Sequence, residues 1–272
     1  MTDIHSHLDG VAHAGDGTAL AYQCRGAGHP LVLLAGQANN HHWWDGVRDD
    51  FHRTHRTITM DYRGTGGSDA PQEGYSTGQF ADDVISVLDA LGVERTDLYG
   101  TSMGGRVAQW IAARHPERIR RLVLGCTSPG GPNAVERDVS VRRALATPDP
   151  AAAERVLVDL MYTPAWRAAH PGPYNTLGDP AMPPHARRGH LVASNRHDAW
   201  EVLPLISAPT LILHGDHDRL TPPDNVALLA ARIPDATTYV FGGARHAYFE
   251  ECRVTAGPLV GRFFEQGLPG RS

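Results

Sequence analysis

The sequence contains no lysine, because all 25 of its basic residues are arginine. Mechanisms that need a lysine Schiff base or a catalytic ammonium group are therefore excluded. Cysteine is also scarce: Cys24, Cys126 and Cys252 form an odd, widely spaced set, which predicts free thiols in a reducing compartment. No apolar run approaches the length of a membrane span, and the polar residues 1–9 lack the apolar core of a signal peptide. We therefore expect a cytoplasmic protein with no membrane partner.

The charge and composition of the chain limit its expected partners and its domain organisation. The formal net charge is -5 over 272 residues, and no basic run or stripe is present, so nucleic acid is not an expected partner. The hydrophobic content of 41% is ordinary for a globular protein with a sizeable core. This length favours one large α/β domain with an insertion over two independent domains.

The periodicity alternates between strands and helices. Residues 11–25 read as a β-hairpin around the turn Gly15-Asp16-Gly17, whereas residues 1–9 read as a loosely ordered tail. Apolar runs of strand length follow at 30–36, 56–61, 96–99, 121–125, 210–214 and 238–241. Helical patterns separate them, the clearest being 76–91, 106–114, 223–233 and 254–266. This alternation predicts a mostly parallel sheet with helices on both faces.

One region interrupts the alternation. No strand pattern occurs from about residue 129 to residue 205, where helical patterns (138–146, 151–161 and 184–194) are joined by proline-rich segments. We interpret residues 129–205 as a helical lid inserted into a core made of residues 1–128 and 206–272. A long surface excursion without a function is the alternative, but ligands bind at the carboxyl ends of strands in open α/β sheets, which favours a lid.

A G-x-S-x-G motif lies between a predicted strand and a predicted helix, with Ser102 at its centre. That strand, sharp turn and helix are the context of a nucleophile elbow, in which the serine hydroxyl projects from a strained turn. Gly100 and Gly104 remove the side chains that would collide with the neighbouring strand and helix. A Gly-Ser turn without a catalytic role is the alternative interpretation.

A serine nucleophile needs a base, an acid that orients the base, and donors for the oxyanion. His246 follows the last predicted strand and precedes the final helix, so we select it as the base. Asp218 follows the strand at 210–214 and is preferred as the acid over Asp216, which is expected to face solvent or stabilise its loop. The oxyanion donors are expected to be the backbone N–H groups of Met103 and Gln37.

These motifs together resemble the α/β-hydrolase superfamily over nearly the whole chain outside the lid and the tail. The matching pieces are the elbow at 100–105, the glycine loop at 35–38 with Trp43 and Trp44 downstream, the D-x-R-G-x-G-x-S-like loop at 61–69, and the loops of Asp218 and His246. The chain is similar to small serine esterases and lactonases, such as methylesterases, enol-lactonases and cofactor-free haloperoxidases. The resemblance implies an α/β-hydrolase fold with a mostly parallel eight-stranded sheet and no metal or organic cofactor.

The chain departs from the family pattern where many members have His-Gly at the oxyanion loop, because Ala35 precedes Gly36 here. The backbone donor does not depend on that side chain, so the oxyanion hole is expected to be retained. Asp61 and Arg63 are interpreted as residues that fix their loop, because the triad is complete without them. The candidates for the substrate pocket are Gly36, Asn39, Trp43, Tyr162, Trp166 and Tyr248, with a surface loop as the alternative for Asn39 and core packing for Trp43.

The sequence thus predicts a serine hydrolase that acts on a small, fairly apolar carboxylic ester or lactone. Ser102 is expected to attack the carbonyl group while His246 accepts its proton and Asp218 stabilises the charged imidazole. Acyl transfer, cyclisation or a lyase step at the same site is the first alternative. A protein that uses the fold only to bind a ligand is the second, and the complete triad argues against it.

Overall fold

The computed structural model describes residues 8–267. Its strands form one eight-stranded sheet in the order β1-β2-β4-β3-β5-β6-β7-β8. The strands are β1 Leu8–His13, β2 Ala19–Arg25, β3 His29–Leu34, β4 His55–Met60, β5 Thr96–Thr101, β6 Ile119–Gly125, β7 Thr210–Gly215 and β8 Ala236–Phe241. The β1–β2 and β2–β4 pairs are antiparallel, and every other pair is parallel. The predicted mostly parallel sheet is confirmed.

The helices lie between the strands as the periodicity predicts. They are α1 Thr77–Ala90, α2 Met103–Arg114, α3 Val139–Leu145, α4 Pro150–Met161, α5 Pro164–Ala169, α6 Pro184–Asn195, α7 Asn225–Arg232, α8 Tyr248–Glu251 and α9 Arg253–Gln266. Helix α1 begins after Ser76, whose hydroxyl accepts a hydrogen bond from the Gln79 N–H group. None of the helices in this described part of the chain is long and apolar enough to cross a membrane.

The centre of the sheet is buried on both faces. All six residues of β5 are buried, and successive side chains of a strand point to opposite faces, so both faces of β5 must be covered. Tyr99 packs against Trp44 and Phe51 on one face. By contrast, β8 forms one edge of the sheet, and Thr238, Tyr239 and Val240 on it are exposed.

The N-terminal segment differs from the prediction. Strand β1 begins at Leu8 and pairs with β2 along its whole length, so residues 8 and 9 belong to the hairpin rather than to a loose tail. The polar residues that precede them hid a strand whose backbone is ordered by its partner β2. The rest of the predicted tail, residues 1–7, lies outside the described residues.

The segment between β6 and β7 carries α3, α4, α5 and α6. It is described throughout and contains no strand, only an isolated bridge between Gly130 and Asp198. Because β6 and β7 are parallel neighbours, this insertion leaves the sheet at its carboxyl edge. The loops after β3, β5, β7 and β8 begin at the same edge, since these strands all run parallel to β6. The fold therefore gathers the predicted site loops beside the insertion.

Candidate active site

Ser102 occupies a strained turn between β5 and α2. Its backbone angles are φ 55° and ψ -121°, a conformation that an L-residue other than glycine rarely adopts. A Cβ atom on Gly100 would lie 2.5 Å from the carbonyl carbon of Gly104, and one on Gly104 would lie 2.6 Å from that of Leu34. Glycine is therefore required on both sides of the serine, as the motif predicts.

Hydrogen bonds hold this turn in place. The Ser102 N–H group donates to the carbonyl oxygen of Gly125 at 2.9 Å, and the Thr127 hydroxyl donates to the Ser102 carbonyl oxygen at 2.8 Å. Gly125 ends β6 and Thr127 follows it closely, so hydrogen bonds to the neighbouring strand and its loop stabilise the strained turn. Met103 is the first residue of α2, and its N–H group lies at the N-terminal end of the helix, where the helix dipole favours negative charge.

Asp218 and His246 form a buried pair. The His246 Nδ1 atom lies 2.7 Å from Asp218 Oδ2, and both side chains are almost completely buried. The other carboxylate oxygen, Oδ1, accepts hydrogen bonds from the N–H groups of Leu220 and Thr221 at 2.8 and 2.9 Å. The acid is thereby fixed in its loop, with one oxygen directed to the imidazole.

Asp216, the alternative acid, has a different position. Its Oδ1 atom accepts a hydrogen bond from the Gly243 N–H group at 2.6 Å, and its side chain is exposed. Asp216 therefore joins the loop of the candidate acid to the loop of the candidate base. The geometry places Asp218 rather than Asp216 beside His246, in agreement with the choice made from the sequence.

His214 is a third member of this buried group, and the sequence analysis missed it. Its Nε2 atom lies 3.1 Å from Asp218 Oδ2 and 2.8 Å from the carbonyl oxygen of Thr221. Burial alone would raise the pKa of Asp218, but the charge of His246 and the hydrogen bonds from His214 and His246 hold it well below its usual range. The carboxylate therefore stays ionised beside the imidazole. The sequence did contain a signal for this role, because His214 lies near the end of β7, four residues before the candidate acid.

The second nitrogen of His246 has no such partner. Its Nε2 atom is buried and has no hydrogen-bond partner among residues 8–267. Buried polar atoms are nearly always paired, so an orphaned imidazole nitrogen in a strand-end loop indicates a role with a group that arrives or a proton that moves.

The loop after β3 carries the predicted oxyanion donor Gln37. Gly36 packs on the ring of Trp43, because a Cβ atom on Gly36 would lie 2.6 Å from that ring. Ala38 has a positive φ of 57°, and its N–H group donates to His190 Nδ1 at 3.2 Å. Gln37 therefore lies between two residues that are each fixed by a contact, Gly36 by the Trp43 ring and Ala38 by the His190 imidazole.

Three pocket candidates have internal partners instead. Trp43 is buried, and its Nε1–H group donates to the Thr101 hydroxyl at 2.9 Å. Tyr248 is fully buried, and its hydroxyl lies 2.8 Å from that of Tyr99. Asn39 is buried as well: its side chain donates to the Gln37 carbonyl oxygen and accepts from a backbone N–H group of the insertion.

The predicted pocket role of these three residues is therefore corrected. Trp43 and Tyr248 are packing residues whose polar atoms are satisfied inside the core, and Asn39 fixes the oxyanion loop. The sequence alone did not distinguish core packing from a pocket role, because an aromatic residue beside a motif is compatible with both.

Tyr162 and Trp166 lie in the insertion. Tyr162 is fully buried, and its hydroxyl contacts the Thr176 hydroxyl at 2.6 Å and donates to a carboxylate oxygen of Glu250. Trp166 is partly buried and stacks on Tyr162 with a centroid distance of 4.5 Å. Tyr162 therefore links the insertion to α8, whereas Trp166 is partly exposed and stacks between Tyr162 and His170.

The loop of His246 is fastened to the insertion on both sides of the histidine. The guanidinium group of Arg245 donates to Asp159 and to the Tyr162 carbonyl oxygen, and the Ala247 N–H group donates to the Met161 carbonyl oxygen at 3.0 Å. The end of α4 thus helps to hold the candidate base.

Asp61 and Arg63 act as the sequence predicts for loop-fixing residues. Asp61 accepts hydrogen bonds from the N–H groups of His41 and Gly67, at 2.8 and 2.9 Å. Arg63 forms a buried two-point ion pair with Asp83. Neither side chain contacts the Asp218–His246 pair. Across residues 8–267, no group of three or more His, Cys, Asp or Glu side chains is placed to hold a metal ion.

Comparisons with known proteins agree with the observed fold. The model of the alpha/beta hydrolase fold family matches residues 29–251. The 2-hydroxymuconate semialdehyde hydrolase of Pseudomonas sp. (strain CF600) is 32% identical over 260 residues, which cover 89% of this chain and 88% of that protein.

Two solved structures have closely similar folds. An esterase from Rhodococcus sp. ECU1013 has a TM-score of 0.82 and 28% identity, covering 95% of this chain and 98% of that one. An N-acyl homoserine lactone degrading enzyme also has a TM-score of 0.82 and 28% identity, covering 93% of this chain and 100% of that one.

Proposed function

The chain belongs to the alpha/beta hydrolase fold family, and from this premise we propose that it is a serine hydrolase acting through an acyl-enzyme on Ser102. Its substrate is a small, fairly apolar carboxylic ester or lactone. The relatives of the chain include hydrolases, and its structural neighbours include esterases and a lactone-degrading enzyme.

One observation carries the proposal: His246 is anchored through Nδ1 to an ionised Asp218, while its buried Nε2 atom has no hydrogen-bond partner within residues 8–267. Such an imidazole is oriented, has its proton on Nδ1 and offers a lone pair on Nε2. A general base for a serine hydroxyl needs all three properties.

The reaction follows from these roles. Ser102 Oγ adds to the substrate carbonyl carbon as its proton passes to His246 Nε2, and the Met103 and Gln37 N–H groups stabilise the oxyanion. His246 then returns the proton to the alkoxide leaving group as the carbonyl–oxygen bond breaks. In the second half, His246 accepts a proton from water, the hydroxide attacks the acyl-enzyme, and Ser102 Oγ leaves with that proton.

The preference for an apolar substrate rests on the side chains near these groups. Met103 follows the serine directly, and Met161 contacts the histidine loop through its backbone; both are buried in the hydrophobic core. Trp166 adds a partly accessible aromatic surface from the insertion. We therefore include residues 129–205 in the proposal as the lid of a core made of residues 1–128 and 206–272.

Hydrolysis of a carbon–carbon bond is a second candidate. It is supported by the relative from Pseudomonas, which matches most of the chain and is named for 2-hydroxymuconate semialdehyde, a compound that contains no ester bond. The two candidates differ in their leaving group, which is an alkoxide in ester cleavage and a carbanion in carbon–carbon cleavage. Comparing the turnover of a series of esters and lactones with the turnover of 2-hydroxymuconate semialdehyde distinguishes the two candidates.

The decisive test is fluorophosphonate labelling with intact mass and peptide mapping, combined with turnover of p-nitrophenyl esters. Wild type is expected to take one label, on Ser102, and Ser102→Ala is expected to lose both label and turnover. Ser86→Ala is the matched control, because Ser86 lies on α1 and bonds only to the carbonyl oxygen of Asp82 among the described residues. It is expected to behave as wild type.

An unlabelled wild-type protein would overturn the proposal and leave a ligand-binding protein as the interpretation. Labelling of Ser102 without hydrolysis of any ester, lactone or semialdehyde would instead favour acyl transfer, cyclisation or a lyase step.

A further inference from the structure

We propose that His190, on helix α6 of the insertion, is a positioning residue for the oxyanion loop. Its imidazole lies between two backbone groups: Nδ1 is 3.2 Å from the N–H group of Ala38, and Nε2 is 2.9 Å from the carbonyl oxygen of Arg63. The side chain is fully buried. This inference rests on the proposed function, because it assigns a role in the oxyanion hole of that reaction.

The hydrogen-bond partners determine the tautomer of His190. A carbonyl oxygen only accepts, so the Nε2 atom carries the proton and donates to Arg63. Nδ1 is then the acceptor for the Ala38 N–H group. Burial lowers the pKa of His190 to about 4, so the ring stays neutral and retains this acceptor near neutral pH.

The peptide that His190 holds is the one adjoining the candidate donor. The Ala38 N–H group and the Gln37 carbonyl group share one peptide plane, and the orientation of that plane sets the backbone angle ψ of Gln37. Ala38 has a positive φ of 57°, a conformation that the chain does not adopt without support. A bond at Ala38 N–H therefore restricts rotation on the carbonyl side of Gln37 and helps to fix the backbone of the residue that carries the candidate N–H donor.

Other residues of the insertion hold the same loop. The Asp179 N–H group donates to the Ala38 carbonyl oxygen at 2.6 Å, and the Gly178 N–H group donates to Asn39 Oδ1 at 2.8 Å. Both backbone polar groups of Ala38 are thus bonded to the insertion. The oxyanion loop is consequently completed by residues that lie about 150 positions later in the chain.

Two conservative variants separate the two bonds of His190. The amide oxygen of an asparagine reaches the position of Nδ1, so His190→Asn retains an acceptor for Ala38. The amide nitrogen of a glutamine reaches the position of Nε2, so His190→Gln retains the donor to Arg63 but loses that acceptor. His185→Gln is the control, since His185 lies on the same helix and contacts the carbonyl oxygen of Ala70 instead.

The readouts are kcat, KM and the Ki of an aryl trifluoromethyl ketone, which forms an oxyanion on the serine as the transition state does. Removal of a whole oxyanion donor lowers kcat by about 100- to 1000-fold, so misdirecting one is expected to cost about 10- to 100-fold. His190→Gln should lose this much in kcat, raise Ki by the same factor and keep KM within about twofold. His190→Asn and His185→Gln should remain within about threefold of wild type.

Equal kcat and Ki in His190→Gln and wild type would overturn the inference while leaving the proposed function intact. Equal losses in both His190 variants, with KM rising, would reduce His190 to a structural residue. A wild-type enzyme that takes no fluorophosphonate label would instead remove the proposed function itself. If His190→Gln does not fold, ¹⁵N-labelled wild type decides: the Ala38–Nδ1 hydrogen-bond coupling must change when the ketone binds, and an unchanged coupling refutes the role.

Discussion

Gly104 is under a tight steric constraint, and Gly104→Ala is expected to damage both the fold and the reaction. A Cβ atom there would lie 2.6 Å from the carbonyl carbon of Leu34 and 2.7 Å from the carbonyl oxygen of Ala35. Non-bonded carbon atoms pack at about 3.5–4.0 Å, so the start of α2 would have to move by about 1 Å from the end of β3. Both groups in conflict are backbone, and neither can rotate away.

The expected magnitude combines two opposing effects. Alanine is favoured over glycine within a helix by about 1 kcal/mol, whereas overpacking a rigid site costs about 1–3 kcal/mol or more. We expect a net loss of about 2 kcal/mol in the free energy of unfolding, which lowers the Tm by about 4–8 °C in a chain of this size. Esterase turnover should fall further than stability predicts, because the displaced Ala35 leads into the oxyanion loop.

Gly261→Ala is the matched control. Gly261 lies within α9, and a Cβ atom there would meet nothing within 4 Å. The same substitution is therefore expected to raise the free energy of unfolding by about 0.5–1 kcal/mol through helix propensity alone. Thermal unfolding and p-nitrophenyl ester turnover of both variants check the reasoning. A Gly104→Ala enzyme with wild-type Tm and activity would refute it.

Three further predictions concern the buried titratable groups. Asp218→Asn is expected to lower kcat by up to about 10⁴-fold with little change in KM, because His246 loses its orientation and its counter-charge; a change confined to KM would contradict this. The pKa of His190 is depressed to about 4, so the unfolded chain binds more protons than the folded one between pH 6.5 and 4. The free energy of unfolding should therefore fall by about 3 kcal/mol as the pH drops through this window, and His190→Gln should flatten that part of a urea-unfolding profile. Tyr162→Phe removes a hydrogen bond from Glu250, whose pKa is already raised by burial. Its cost of about 1–2 kcal/mol should be larger at pH 8 than at pH 5, where the acid is closer to neutral, and a cost independent of pH would contradict the assignment.

Much of the site was predictable because it is built from strand ends. Parallel strands bring their carboxyl ends to one edge of the sheet, so residues in the short loops that begin at the ends of β5, β7 and β8 lie at the same edge whatever their distance in sequence. Ser102, Asp218 and His246 each satisfy this rule. Each of these strands contains a short apolar run, which made its position predictable.

The residues that support the site were not predictable by the same route. His190 and His185 lie on one helix, and nothing in the local sequence distinguishes the one that contacts the oxyanion loop from the one that does not. Trp43 and Tyr248 lie beside functional loops, yet their polar atoms find partners on β5. Such contacts depend on how distant segments pack, and periodicity carries no information about packing at that range.

The contacts of the insertion also limit how it can admit a substrate. Helix α6 holds the loop of Gln37 through His190, and the end of α4 holds the loop of His246 through Met161. A rigid-body opening of residues 129–205 would break both sets of hydrogen bonds and release the candidate oxyanion donor and the candidate base together. Access with the site intact therefore requires motion within the insertion, in parts such as α3 that do not bear these bonds. The insertion is accordingly a structural part of the candidate site as well as its proposed lid.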